Sequence, residues 1–198
     1  MGAAATGCGM AERLRAVVIT ASNRAAAGVY ADTGGPLITD ALASWGFEVG
    51  DRVVVPDGEA VAQALRTAVE AGVDAVITTG GTGINPTDAT PEATRGLLDR
   101  ELPGVAEAIR AHGVSLGVPT AMLSRGLAGV AGRTVVVNLP GSSGGVRDGL
   151  AVLEGVLRHA VDQVRGGDHP QQHPPAGDHV AEFSAGEEPA GPSSQEEG

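Results

Sequence analysis

The chain is predicted to form an α/β fold: a single three-layer domain with a mostly parallel sheet and helices on both faces. Two observations predict it. Short apolar, β-branched runs alternate with segments of helical periodicity through most of residues 14–163, which is the pattern of repeated βαβ units. Turns rich in Gly, Ser, Thr and Asp follow these runs, and open parallel sheets place their sites outside the carboxyl ends of the strands.

The elements follow in order. LRAVVIT (14–20) is a β-branched strand, and GGPLITDALASWG (34–46) is a helix with Pro36 in its first turn and Gly46 at its stop. FEVGDRVVVP (47–56) reads as one strand, followed by a helix over about 58–71 and a buried strand at 75–79. Helical stretches are expected near 91–99 and 105–112, a strand near 125–130, a strong strand at 133–140 (RTVVVNLP), and a last helix over about 145–163. Residues 1–12 and 166–198 are poor in large apolar side chains and rich in Gly, Pro, Ser, His and Glu. They are expected to be a disordered leader and a disordered acidic tail around a folded body at 13–165. His169, His173 and His179 sit among prolines at loose spacing, which reads as solvated tail rather than a metal tract.

Composition excludes several classes. The formal net charge is -11, but seven of the 24 acids lie after Arg165, where there is no basic residue. Residues 1–165 thus carry 17 acids against 13 arginines, a net of -4, so most of the excess acidity is tail. There is no basic stripe, and Tyr30, Trp45, Phe47 and Phe183 are the only aromatics, so no nucleic-acid partner is expected. No apolar run is long enough to cross a bilayer, so no membrane partner is expected either. The single cysteine, Cys8, cannot form an internal bridge, and the leader lacks a basic segment followed by an apolar one, so a reducing cytoplasm is the expected location. The chain contains no lysine, which excludes a Walker A loop and Schiff-base catalysis.

The richest stretch is residues 78–94, TTGGTGINPTDATPEAT, at the end of a buried strand. Glycines allow close backbone approach and positive φ, while threonine hydroxyls and free N–H groups donate to an anion. Asp88 would repel a phosphate unless a cation lay between them, which points to a shared magnesium ion; a helix cap is its simpler role. Asp57, in VVPDGEA (54–60), has the same two readings. NLPGSSGGVRDG (138–149) is a second glycine- and serine-rich turn into a helix, serving either anions or merely the bend. The loop after the first strand gathers Ser22, Asn23, Arg24, Tyr30 and Asp32 and lacks GxGxxG, which counts against a dinucleotide-binding domain. Acids and phosphate donors on one rim suit metal-assisted transfer of a phosphoryl or nucleotidyl group.

TTGGTGINPTDATPEAT, with SNRAAAGVYADTGGP (22–36), VVPDGEA and NLPGSSGGVRDGL (138–150), resembles the molybdopterin adenylyltransferase family of the MogA/MoaB type, related to the G domain of gephyrin. The resemblance spans about 14–159, with four motifs in the family's order. It implies a compact three-layer fold, usually a homotrimer, that binds molybdopterin and ATP with Mg²⁺ and transfers AMP to the terminal phosphate of molybdopterin, releasing pyrophosphate. A transient contact with a molybdate-insertion enzyme is implied as well. The family's two functional aspartates, catalytic and metal-binding, fall on Asp57 and Asp88. Substrate and nucleotide contacts fall on Thr79, Gly80, Gly81, Thr82, Gly83, Pro140, Gly141 and Ser142, and Ser124 and Arg125 match a further motif in MLSRG.

The chain departs from the family in having Asn23 where many members have an acid, and in lacking a basic residue within 143–145, for which Arg147 is the nearest substitute. His112 and His159 match no functional position. Two other readings stand beside catalysis. One is a MoaB-type pterin-binding protein with little or no adenylylation activity, against which the retention of Asp57 and Asp88 argues. The other is a scaffold role as in gephyrin, against which the absence of a further folded domain in this chain argues.

Overall fold

The computed structural model describes residues 13–167. The expected leader and nearly all of the tail, with Cys8, the tail histidines and Phe183, lie outside the described residues. In chain order the elements are β1 (Leu14–Ala21), α1 (Asn23–Ala26), α2 (Gly34–Ser44), β2 (Phe47–Val49), β3 (Val53–Val55), α3 (Glu59–Glu70), β4 (Ala75–Thr79), α4 (Thr90–Arg95), β5 (Arg100–Glu101), α5 (Pro103–Ser115), a 3-10 turn (Pro119–Leu123), β6 (Ala128–Ala131), β7 (Thr134–Leu139), α6 (Ser143–Glu154) and α7 (Leu157–Val164).

They form one mixed sheet of seven strands. β2 and β3 lie along the same side of β1, and the order then runs β1, β4, β7, β6, β5. The pairings among β1, β2, β3, β4 and β7 are parallel, while β6 runs antiparallel to both β7 and β5. β4 and β7 are buried along their whole length, so AVITT and TVVVNL need no polar alternation. Side-chain alternation instead divides two cores. Ala75 and Ile77 of β4, with Val135 and Val137 of β7, pack against α2, α5, α6 and α7. Val76 and Val136 face the other way, onto Val61, Leu65 and Ala68 of α3 and Ala93 of α4. The sheet therefore has helices on both faces, as the alternation of elements predicts.

Several boundaries differ from the sequence expectation. The single strand expected at 47–56 is two strands: Leu14 pairs with Phe47, but Ile19 pairs with Val53, so the outer strand holds one extra residue around 50–52. This is a bulge, and a strand containing Gly and Asp at its middle accommodates one readily. The last helix breaks at Gly155 and Val156 into α6 and α7, where Gly155 caps the first piece. The stretch expected to be helical to residue 99 stops at Arg95, and the two-residue strand β5 then begins at Arg100. The 3-10 turn and the short α1 lie in segments read as connectors, α1 being nucleated by Ser22, whose hydroxyl accepts from the Ala25 N–H at 3.2 Å.

From β1 the chain moves to β2 and β3 on one side, whereas β4 is followed by strands on the other. β1 and β4 thus flank the switch point, the position at which a crevice opens beyond the strand ends.

Candidate functional site

Four strand ends meet at this crevice, and hydrogen bonds between their turns fix the arrangement. Thr79 closes β4 and is buried; its hydroxyl donates to the Pro140 carbonyl at 2.7 Å, and the Gly80 N–H donates to the Leu139 carbonyl at 3.2 Å. The two glycine-rich turns are thereby tied side by side. Gly80 (φ 91°) passes so near β1 that a Cβ there would stand 2.1 Å from the Ala21 carbonyl oxygen. Gly81 (φ 61°) is equally constrained, since a Cβ would stand 2.4 Å from Thr90 Oγ1 and 2.7 Å from Asp57 Oδ1. The glycine-rich turn after β4 is thus the turn against which Asp57 packs.

Neither aspartate takes the helix-capping role that a strand-to-helix turn offers. The cap of α3 is Gly58 and that of α4 is Ala89, and neither helix start receives a side-chain hydrogen bond. Asp57 exchanges a reciprocal pair with Asn23: the Asn23 N–H donates to Asp57 Oδ2 at 3.3 Å, and the Asp57 N–H donates to Asn23 Oδ1 at 3.2 Å. Its other oxygen, Oδ1, is buried without a hydrogen-bond partner, and so is the Thr90 hydroxyl on the same side of Gly81. Asp88 Oδ2 accepts from the Asn85 N–H at 3.1 Å and lies 2.6 Å from where a Cβ on Gly83 would stand. Ser142, by contrast, does cap its helix, accepting from the Gly145 N–H at 3.1 Å at the start of α6.

Ser124 and Arg125 hold the glycine turn from outside. The Ser124 hydroxyl reaches Thr82 Oγ1 at 3.4 Å, and the Arg125 N–H donates to the Thr82 carbonyl at 2.8 Å. The Arg125 guanidinium donates to the Gly83 carbonyl at 2.7 Å and the Asp88 carbonyl at 2.8 Å, and pairs with Glu92. That hydrogen bond from Arg125, reinforced by a bond to its own backbone N–H, holds the Glu92 carboxyl below its usual range. In this geometry Arg125 braces the turn that carries Gly83 and Asp88.

Two cavities open where the turns meet. The polar one, about 340 Å³, lies between the ends of β1 and β4 and is lined by Asp57, Asp88, Asp32 and Arg24, the last being the one cation among the described residues that line it. The Arg24 guanidinium rests 3.9 Å above the Tyr30 ring. The larger, about 550 Å³, has apolar walls that include Ile84, Val118 and Leu123 and runs between the two glycine-rich turns and the 3-10 turn. The two share Gly81, Asp88 and Gly141, so the first of them to be filled by an anion would have its neighbour directly beside it.

The donor set suits a hard cation only in part. Asp57 and Asp88 offer carboxylate oxygens with acceptor capacity remaining, but among the described residues no cluster of three or more His, Cys, Asp or Glu could hold a metal unaided. That fits magnesium, which is held by one or two carboxylates together with substrate phosphates and water.

Some site residues receive no role from sequence reasoning, even where, as with Asp32, the loop that carries them stands out. Asp32 accepts from the Gly35 N–H at 2.8 Å and from Thr20 Oγ1 at 3.1 Å, fixing the entry to α2; its position three residues ahead of Gly35 is the signal available. Asn138 is buried and donates to Thr78 Oγ1 at 3.0 Å and Thr94 Oγ1 at 2.9 Å, locking β7 to β4 and α4 beneath the turns. Thr90 and Asp148 also border or line the site; both lie inside the glycine-rich motifs, but nothing in the sequence singles out either side chain.

The fold and site define an α/β domain with two adjoining, carboxylate-lined cavities at the switch point of its sheet. Comparison with known proteins makes that class specific: residues 17–159 match the family described as a probable molybdopterin binding domain, and the chain belongs to it. Molybdopterin adenylyltransferases from Helicobacter pylori and Escherichia coli are 35% and 37% identical, over 75% and 72% of this chain and 86% and 73% of theirs. The chain spans about half the length (48%) of a molybdenum cofactor biosynthesis bifunctional protein from Synechococcus elongatus, which is 39% identical over 78% of this chain. Among solved structures, the molybdopterin biosynthesis Mog protein of Mycobacterium ulcerans is 53% identical with a TM-score of 0.74, covering 78% of this chain and 99% of its own. A tungsten cofactor synthesizing MoaB from Pyrococcus furiosus is 35% identical with a TM-score of 0.72, covering 78% and 98%.

Proposed function

We propose that this protein acts in molybdenum cofactor biosynthesis as a molybdopterin adenylyltransferase, transferring AMP from ATP to the terminal phosphate of molybdopterin. An oxygen of that phosphate forms a bond to the α-phosphorus of ATP, the bond from that phosphorus to the bridging oxygen breaks, and pyrophosphate leaves with the electron pair. The observation that carries this reading is the junction of two cavities at Gly81, Gly141 and Asp88, one polar and acid-lined, the other apolar-walled. The names of the relatives support it as well.

The attacking phosphate is already ionised near neutral pH, so the site needs no strong base. It needs to hold two polyanions in line and to offset their charge. The backbone of the paired glycine turns and the N-terminus of α6, beginning at Ser143, offer N–H groups for the phosphates. Arg24 supplies a positive side chain in the polar cavity. Asp57 and Asp88 would hold Mg²⁺, which when bound neutralises phosphate charge and steadies the departing pyrophosphate. Asn23, Gly81 and Arg125 keep the two aspartates in place.

Assembly as a homotrimer in the cytoplasm, with transient delivery to a molybdate-insertion enzyme, belongs to the same proposal. Leu116 and Met122, 58% and 62% exposed, are large apolar side chains that self-association would cover. Among the described residues no helix is long and apolar enough to cross a membrane.

The test is to incubate the pure protein with molybdopterin, ATP and Mg²⁺ and to follow pyrophosphate and adenylylated pterin. Stoichiometric release of both is expected. Tight pterin binding without pyrophosphate would instead identify a MoaB-type binding protein.

A further inference from the structure

One carboxylate near the site has no role in the account above. Asp148 lies on α6, half-buried, and lines the larger cavity but not the polar one, which puts it away from the junction where phosphates would meet. Its Oδ2 is 3.8 Å from where a Cβ on Gly113 of α5 would stand, so the carboxylate sits in the angle between the two helices. Among the described residues it has neither a hydrogen bond nor an ion pair. The nearby cations are turned elsewhere: Arg110 donates to the carbonyls of Ser124 and Gly126, and Arg147 to that of Ser143. Among the described residues no Arg or His lines the larger cavity, and its apolar wall includes Ile84, Val118 and Leu123, which are 70%, 44% and 50% exposed.

A half-buried carboxylate with open acceptor positions calls for N–H donors, and exposed branched side chains beside it call for a flat apolar body. A 2-amino-4-oxopteridine meets both demands. Its N3–H and 2-amino group point the same way and can donate in parallel to the two oxygens of one carboxylate, the fork geometry that makes charge-assisted pairs strong and specific. We propose that Asp148 is the residue that recognises the pterin, reading its N3–H and 2-amino edge while Ile84, Val118 and Leu123 cover its faces. This rests on the reading of the larger cavity as the molybdopterin side of the site. It assigns Asp148 to binding and specificity and not to the transfer step.

The decisive measurement compares 6-hydroxymethylpterin with 6-hydroxymethyllumazine, in which an oxo group replaces the 2-amino group, as competitors for bound molybdopterin. The wild-type protein should prefer the pterin by at least about tenfold, because the lumazine turns an acceptor toward the carboxylate. Asp148→Asn should weaken molybdopterin binding by about tenfold or more and bring the two competitors to near equality, with the KM for ATP unchanged. Asp148→Glu, which restores a carboxylate, should recover part of the preference. Equal competition by the two compounds on the wild-type protein would overturn the assignment without any variant. So would unaltered molybdopterin affinity and preference in a folded Asp148→Asn protein. A wild-type protein that discriminates the two compounds yet releases no pyrophosphate would sink the adenylyltransferase reading and leave Asp148 as the pterin-reading residue.

Discussion

At the amino-terminal end of the central strands the polar groups are closed on one another. Asp74, just before β4, is buried; it accepts from the Arg15 N–H at 2.7 Å and from the Arg165 guanidinium at 2.7 Å, while its own N–H and C=O bond to β1 and β7. At the carboxyl end the polar groups are left open. Asp57 keeps a buried oxygen without a partner, Thr90 a buried hydroxyl, and the turns around them enclose two cavities. A buried polar group that is unmatched costs stability, so an end that carries two of them is tuned for something other than folding. The contrast teaches that the same sheet separates stability from function along the strand axis.

The largest effect expected from this division is on stability. Asp74→Ala removes a buried carboxylate that accepts from both the Arg15 N–H and the Arg165 guanidinium, and breaking a buried pair of this kind costs about 3 kcal/mol. Urea unfolding should show that loss, while pyrophosphate release per folded molecule stays at the wild-type level. The converse substitution is Asp88→Asn. An amide oxygen can still accept from the Asn85 N–H, so stability should remain within about 0.5 kcal/mol of wild type. Turnover should fall by about a hundredfold or more, the scale on which removal of one preorganised electrostatic group acts. A stable, fully active Asp88→Asn protein would end the assignment of the carboxyl end to catalysis.

A matched pair of glycines sharpens the comparison. Gly81 (φ 61°) lies in the site, and Gly132 (φ 58°) lies in the turn between β6 and β7, at the amino-terminal end of β7. Alanine at either position carries the left-handed penalty of about 1–2 kcal/mol. At Gly132 a Cβ meets nothing within 4 Å, whereas at Gly81 it collides with Thr90 and Asp57. Gly81→Ala should therefore destabilise the protein more than Gly132→Ala and should alone impair turnover, as judged by denaturant midpoints and pyrophosphate release measured side by side.

The same division separates what the sequence made legible from what it did not. Strands and turns were readable because β-branched runs such as AVITT and TVVVNL differ sharply from glycine-rich turns, and the carboxyl-end location of the turns follows from parallel topology. Whether Asp57 and Asp88 cap helices was not readable, since that depends on Asn23, 34 positions away from Asp57, and on how the turn at Asn85 folds. The extra residue at 50–52 was hidden because register is a property of two strands, not one. Asp148 was hidden because a carboxylate within an amphipathic helix ordinarily marks the solvated face. Asn138 looked like the end of a strand motif, and only the packing of β4, α4 and β7 gives its amide partners.

The smallest expected effect concerns the brace outside the glycine turn. Because Arg125 holds the Glu92 carboxyl below its usual range, the folded state favours the ionised acid more than the unfolded state does. The pair's contribution is therefore fully present above the unfolded value near 4.5 and is lost as pH falls through the lower, folded value. Side-chain exposures of 37% for Arg125 and 54% for Glu92 keep that contribution to at most about 0.5–1 kcal/mol at pH 7, weaker still in salt. Glu92→Gln should thus be slightly less stable than wild type at pH 7 in low salt, with the gap closing as the solution is acidified below the folded value, where both side chains are neutral. Denaturant midpoints of the two proteins measured across that pH range check the sign. A gap that stayed constant across that range would mean that Arg125 draws its strength from the Gly83 and Asp88 carbonyls alone, and that Glu92 plays no part in bracing the turn.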